Sequence, residues 1–525
     1  MSISIRTNIN SVSTARQLGY SQEKVDLTMQ RLSTGLRVNK AADDAAGLAI
    51  SEKLKSQING LNQAGRNAKD AISLVQTAEG ALGEIGNMLQ RIRTLALQSV
   101  NDVNGVNERA SLQKEVSQLQ TEITRLAQAS EFNGQKLLDG SFQSKRFQVG
   151  ANAGQELSLS INGVDASKVG VNRVTTNAGA AATGIGAAQA GTSVANVNNG
   201  VGSQTLTITG PQSTGVPSTV ALTTGMTARE IADQVNLVNG ETGVTAKARS
   251  TVSLTLGTAT GNVSFTLAGD TTGNDGSIGN NQTIIGGLID NTSDLSSLVQ
   301  AINDRSSVTG ITASTGDTKA ELVLTAEDGR DIVIENFTLN GAGAPAGGGL
   351  TVQGKTVASS GSPTFGVGLQ NVGAPQTLTG TTDSARVGGF VRFESSGGVN
   401  VASTDAGATL LATPNENSRL IAVNTVNLGS ADGASAAIDV LDNAIQQVND
   451  LRASLGAIQN RLQSTVANLE SSSENLTVSN SRIRDADVAM ESAELARSQV
   501  LMQAGISVLS QANQQPQMAL KLLGG

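Results

Sequence analysis

Residues 441–483 read LDNAIQQVNDLRASLGAIQNRLQSTVANLESSSENLTVSNSRI. Leu441, Ile445, Val448, Leu455, Leu462, Val466, Leu469, Leu476 and Ile483 fall on one alternating four-three spacing, and the skipped positions Arg452, Gln459, Ser473 and Asn480 keep the register. No proline interrupts the run, and Gly456 is its only glycine. Such a period draws one narrow apolar stripe along a helix that must lie against other helices. At about 1.5 Å per residue the rod is on the order of 65 Å long.

Composition limits the chemistry. The chain has 525 residues, no His, Cys or Trp, and a net charge of −8. Its length exceeds one compact core, so about two to four domains are expected. Without His or Cys, imidazole acid–base chemistry, thiol nucleophiles and the usual zinc ligands are excluded. Carboxylate pairs such as Asp43–Asp44 or Asp485–Asp487 read as solvated or capping groups, so no enzymatic role, metal or cofactor is expected. The glycine-rich stretches Gly341-Ala342-Gly343 and Gly347-Gly348-Gly349 lack the strand–turn–helix setting of a phosphate loop. The acidic balance argues against nucleic acid, which requires a basic footprint. No stretch approaches the roughly 18 apolar residues of a membrane span. Met1 to Asn10 is polar and lacks the apolar run of a cleaved secretory signal. The absence of Cys suits a cytosolic chain, or one exported unfolded.

Working outward from the rod, residues 1–130 read as helix almost throughout. Ile72, Val75, Ala78, Leu82, Ile85, Leu89, Ile92 and Ala96 repeat at three-four spacing; after a turn at Asn101–Asn107 the period resumes at Leu112, Val116, Leu119, Ile123 and Leu126. This is a helical hairpin with the same kind of seam as the rod. Asn133-Gly134 and Asp139-Gly140 mark turns, and Arg146–Val149 and Glu156–Ile161 alternate like hairpin strands. From about 171 to 400, Gly, Thr, Ser and Asn dominate, and Thr205–Thr209, Val252–Leu256, Val263–Leu267, Leu322–Thr325 and Asp331–Glu335 read as strands. An internal repeat lies here: Ile231–Asn236 followed by Thr242–Ala246 recurs as Leu298–Asn303 followed by Thr309–Ala313, 67 residues on (236 to 303). Each copy is a short amphipathic helix feeding a strand. Helix returns from about Ala434 to Leu523.

The fold class is therefore multidomain. A long α-helical coiled coil or bundle is built from both termini, with a β-hairpin element, and carries a central inserted β-rich, α+β outer region. The outermost ends, 1–40 and 486–525, also carry apolar stripes: Ile9, Val12, Val25, Met29, Leu32 and Leu36 in one, Leu495, Met502, Ile506, Leu509 and Leu522 in the other. Gly19, Gly35, Gly505 and Pro516 interrupt them. Short interrupted helices need a partner surface, so these ends are expected to order when chains assemble.

Arg31-Leu32-Ser33-Thr34-Gly35-Leu36-Arg37-Val38-Asn39, Asp43–Ile50 and Leu89–Gln98 closely resemble bacterial flagellin. So do Ser481-Arg482-Ile483, Asp485-Ala486-Asp487, Gln503-Ala504-Gly505, Ser507-Val508-Leu509 and Gln511–Gln514 with Pro516-Gln517. The resemblance covers roughly residues 1–170 and 405–525, and the central repeat resembles a module often inserted in flagellins. It implies a subunit secreted through the flagellar type III channel and polymerised into an extracellular helical filament, the propeller for swimming. Residues 1–40 and 486–525 would form the inner filament core, and 41–170 with 405–485 the rod-like wall. Residues 171–404 would form a variable surface insertion with two modules, about 204–269 and 281–337. Polymer contacts would come from Ile9, Val12, Leu32, Leu36, Leu89, Ile92, Leu495, Met502, Ile506 and Leu509. Implied partners are further copies of the chain, the flagellar cap, the hook–filament junction protein, an export chaperone and a host Toll-like receptor for flagellin. The receptor contacts would be Arg91, Leu95 and Glu115, although Thr94 departs from the acidic residue common beside them. Arg484 also departs from the acidic or neutral residues usual at its position. The rival reading is a hook–filament junction protein, which caps rather than propagates.

Overall fold

In this computed structural model the residues described are 7–523, except 102, 177–184, 194–196, 198, 259, 270–280, 317, 341–348, 358–368, 380, 406–409 and 412. The glycine runs at 341–343 and 347–348 lie outside the described residues. The helices are α1 (Ile9–Thr34), α2 (Ala45–Val100), α3 (Val106–Ala129), α4 (Ala228–Leu237), α5 (Asn239–Thr242), α6 (Ser296–Asn303), α7 (Ser306–Thr309), α8 (Ala431–Arg484) and α9 (Val488–Leu523). The chain divides into two compact units: 1–76, 143–160 and 455–525 form the first, and 77–142 with 161–454 form the second. Both α2 and α8 contribute to each unit.

In the first unit, the heptad period of α8 sets the packing. Leu462 and Val466 meet Ala68 and Ala71 of α2, and the small alanines let the two backbones approach closely. Leu157 of the hairpin Lys145–Gln148/Glu156–Leu159 closes the cluster, with Phe147 and Val149 beside it. Ser473 takes a seam position as a buried hydroxyl, and its Oγ donates to Asn62 Oδ1 at 2.9 Å. Beyond it Leu476, Asn480 and Ile483 are only half-buried, so the seam loosens toward the end of the helix. Outside the helices of this pair, α1 and α9 lie together.

In the second unit, Ala78, Leu82, Ile85, Leu89, Ile92 and Ala96 form the stripe read from the sequence, and all are fully buried. Arg93 of α2 bonds Asp442 of α8 at 2.5 Å, and Arg91 bonds Glu115 of α3 at 2.8 Å. Asn133 (φ 50°) and Gly134 (φ 75°) make the two-residue turn that joins Glu131–Phe132 to Gln135–Lys136.

The inserted region is antiparallel throughout its described pairings. One strand, Thr245–Leu256, organises it: its first half pairs with Phe390–Ser395, and its second half pairs with both Glu321–Ala326 and Leu350–Val357. A second sheet runs in the order Gln282–Ile289, Gly261–Ala268, Ile332–Asn340, Ser384–Val387, Ala188–Gly191. The internal repeat is reproduced atom for atom. Asn236 at the end of α4 brackets Ala246, donating to its carbonyl at 2.9 Å and accepting its N–H at 2.8 Å. Asn303 at the end of α6 brackets Ala313 in the same way at 2.8 and 2.7 Å. Gly243 (φ 68°) and Gly310 (φ 69°) provide the matching left-handed turns. Ile231 and Val235 seal one core, and Leu298 and Ile302 seal the other.

A buried charge pair sits on neighbouring strands of the second sheet, where Arg386 meets Asp331 just before Ile332–Asn340. Asp331 is fully buried, accepts from Arg386 Nε at 2.8 Å and from Asn199 Nδ2 at 3.1 Å, and burial pushes its pKa up from 3.8 to about 6. Because the folded value lies above the unfolded one, this carboxyl favours the fold most below about pH 4. Its contribution falls as pH rises through about 6. The stability difference between Asp331→Asn and wild type should shift toward the variant by up to about 3 kcal/mol from pH 4 to pH 7. Urea unfolding at the two pH values measures it; a pH-independent difference contradicts the assignment.

Candidate functional site

The terminal helices form a pair with an unusual division of side chains. Asn8 caps α1 by accepting the Ser11 N–H at 3.1 Å, and its Nδ2 donates to the Ala512 carbonyl of α9 at 2.8 Å. Ser11 Oγ donates to Asn513 Oδ1 at 2.6 Å. At the other end Arg31 pairs with Glu491 at 3.1 Å, and Lys24 lies 3.8 Å from Glu494.

Between these ties the seam is narrow and mixes polar with apolar residues. On α1, Ser11, Thr14, Leu18, Ser21, Val25 and Thr28 are the covered positions, at helical spacing. On α9 they are Leu495, Ser498, Met502, Gly505, Leu509 and Ala512. Buried hydroxyls on α1 are satisfied within the helix: Ser21 Oγ donates to the Gln17 carbonyl at 3.1 Å and Thr28 Oγ1 to the Lys24 carbonyl at 2.7 Å. Gly505 faces Leu18, whose Cδ1 lies 3.4 Å from where a Cβ would stand. Small residues such as Ser21, Gly505 and Ala512 therefore alternate with Leu18, Val25, Leu495, Met502 and Leu509 where α1 and α9 meet.

Other large apolar side chains of the two helices are exposed. Ile9 is 68% exposed, Met490 71% and Val500 64%; Val12, Met29, Leu501, Ile506, Val508 and Met518 are more than half exposed. Single exposed apolar residues are ordinary, but a series along both partners of a helix pair marks an interaction surface.

The linkers next to this pair are fixed by backbone. Leu36 and Asp485 form an isolated antiparallel bridge, Arg37 N donates to the Arg484 carbonyl at 2.7 Å, and Ala486 N donates to the Gly35 carbonyl at 3.0 Å. Gly35 (φ 70°) ends α1 in the left-handed region. Asp43 accepts the N–H groups of Lys40 and Asn39, which hold its carboxyl below the usual range. Arg484 bonds Glu52 of α2 at 2.8 Å, which gives this unusual residue a partner in the fold.

The terminal segments are helices that pair with each other, tied by the caps and ion pairs above. The helix expected to continue to about Leu523 does so, as α9 runs from Val488 to Leu523 through Gly505 and Pro516. Several expectations change. Of the expected contact residues, Ile9, Val12 and Ile506 are exposed, while Leu32, Leu36, Leu495, Met502 and Leu509 are half-buried. Leu89 and Ile92 are fully buried in the second unit's own core, to which α3 adds Val116 and Ile123 and α8 adds Leu441 and Val448. Their period reports a face covered within the subunit. Leu95 is buried too, so the exposed receptor patch expected there reduces to the Arg91–Glu115 pair. Sequence reasoning missed Met490, Val500, Leu501, Val508 and Met518. They lie off the single stripe that was sought, and a second, offset stripe was the available signal.

Among the described residues, no group of three or more Asp or Glu is placed to hold a metal ion. A polar cleft of about 410 Å³ in the second unit is lined by equal numbers of cations and anions, among them Arg249, Arg392, Asp328 and Asp439. No helix among the described residues is long and apolar enough to cross a membrane.

Residues 5–143 match the bacterial flagellin N-terminal helical region, and residues 438–523 match the bacterial flagellin C-terminal helical region. Residues 205–266 and 264–328 each match the flagellin hook IN motif. The chain is 39% identical to the B-type flagellin of Pseudomonas aeruginosa, with 100% of both chains covered. It is 31% identical to flagellin A of Helicobacter pylori and 31% identical to flagellin B of Vibrio cholerae, again with 100% of each chain covered.

Proposed function

The chain belongs to the bacterial flagellin family, a family of flagellar filament components, and we propose that it is secreted and self-assembles into the extracellular filament that drives swimming. The observation that carries this reading is the outward apolar face of α1 and α9. Burying each Leu, Ile or Met contributes roughly 1.5–3 kcal/mol, so four or five per contact give on the order of 10 kcal/mol gross. A second copy offers the same surfaces, and a head-to-tail contact whose rotation does not close generates an open helical polymer. Ile9, Val12 and Ile506 contact neighbouring subunits directly. Leu32, Leu36, Leu495, Met502 and Leu509 hold the two terminal helices and their linkers in place beneath that face.

In this reading, residues 1–40 and 486–525 form the inner core, and 41–170 with 405–485 form the wall. Residues 171–404 form the surface insertion. Export through the flagellar type III channel is compatible with a chain that has no Cys to oxidise. The cap, the junction protein and an export chaperone are its partners along that route. A junction protein remains the rival, but the matches through residue 523 and to three full-length flagellins favour the propagating subunit.

Recognition by a Toll-like receptor is the second reading, carried by Arg91 and Glu115, which lie exposed on adjacent helices. Arg91→Ala should lower receptor-dependent signalling by purified monomer; a response equal to wild type removes this patch from the account. For the filament reading, purified monomer is incubated with and without short filament seeds and viewed by negative-stain electron microscopy. Wild type should grow long filaments from seeds. Ile506→Asp, which places a charge on the outward face, and deletion of 486–525 should abolish growth. Monomer that binds only hook or filament ends would move the assignment to a junction protein.

A further inference from the structure

Sulfur is distributed unevenly in this chain. There are seven Met and no Cys. Met1 lies outside the described residues, and Met88 and Met226 are half-buried in the second unit. The Met226 sulfur accepts the Thr223 N–H at 3.2 Å. The other four, Met29, Met490, Met502 and Met518, sit on α1 and α9. Met29, Met490 and Met518 are more than half exposed on the helix pair, while Met502 is half-buried.

We propose that Met29, Met490 and Met518 form an oxidation-sensitive set on the assembly face, whose conversion to sulfoxides by peroxide-class oxidants blocks addition of the subunit to a filament. This rests on the assembly reading above. In a chain without thiols, the thioether is the side chain that two-electron oxidants reach first. Its sulfur lone pair attacks one peroxide oxygen and the O–O bond breaks. The departing hydroxide takes up a proton and leaves as water. Sulfur is oxidised by two electrons, and peroxide is reduced by two. The sulfoxide is polar and accepts hydrogen bonds, so an apolar contact that buries it leaves it without a donor. A thiol-dependent methionine sulfoxide reductase reverses the change: sulfoxide and two thiols give thioether, disulfide and water. The arrangement protects itself once complete, because a face covered by neighbouring subunits excludes the oxidant. The sensitive species is the free subunit.

The test treats full-length monomer with hydrogen peroxide, confirms the modified methionines by peptide mass, removes the oxidant and follows seeded growth. Growth should fall about tenfold or more relative to untreated monomer, the scale expected for one buried unpartnered polar group. Reductase with thiol should restore it. The triple variant Met29→Leu, Met490→Leu, Met518→Leu should keep growing after the same treatment. As a check that does not depend on that variant, Met490→Gln should slow growth without oxidant, and peroxide added to finished filaments should leave the three methionines unmodified. Oxidised wild type that grows at the untreated rate overturns the proposal, as does a triple variant that loses growth equally, or filament methionines that oxidise as fast as those of monomer. Untreated monomer that does not grow from seeds overturns the assembly reading instead, and the switch with it.

Discussion

Side-by-side packing of helices from opposite ends of the sequence underlies every other feature of this protein. Leu462 and Val466 of α8 close on Ala68 and Ala71 of α2, and α1 and α9 repeat the pairing through Asn8, Ala512, Arg31 and Glu491. Between these helices in sequence lies the β-rich insertion, which is tied to α8 where Arg392 pairs with Asp439 at 3.3 Å. Its own order comes from internal devices, such as the Asn236 and Asn303 brackets and the Asp331–Arg386 pair.

The two helix pairs solve different problems. In the α2–α8 pair Ala68, Ala71, Leu462 and Val466 are covered within the chain. In the α1–α9 pair the inward positions are Ser, Thr, Gly and Ala in large part, and Ile9, Val12, Val500 and Ile506 face solvent. A seam of small residues gives little burial, so the pair has modest stability of its own and a high incentive to be covered. Leaving that face bare in water is unfavourable by the same area-dependent term that covering it recovers.

Much of this was legible in the sequence. The four-three spacing from Leu441 to Ile483 and the hairpin stripe from Val75 to Ala96 reflect helix geometry, which is local. The 67-residue repeat was legible because Asn236 and Asn303 stand at the same step from their strands. What the period could not convey is which body covers a stripe. Leu89, Ile92 and Leu95 share a face with the residues that pack inside the subunit, and their spacing looks the same whether that face meets α3 and α8 or another chain. Asp331 and Arg386 lie on separate strands, and no linear pattern links them.

The central claim is that the outward face of α1 and α9 becomes covered between subunits. The chain contains no Cys, so one introduced thiol reports on its own position. Ile506→Cys, compared with Leu237→Cys on the exposed insertion, would be reacted with a maleimide in monomer and in seeded filaments. The account predicts fast labelling of both positions in monomer, and loss of labelling at 506 alone in filaments. Equal labelling at 506 in monomer and filament would contradict it.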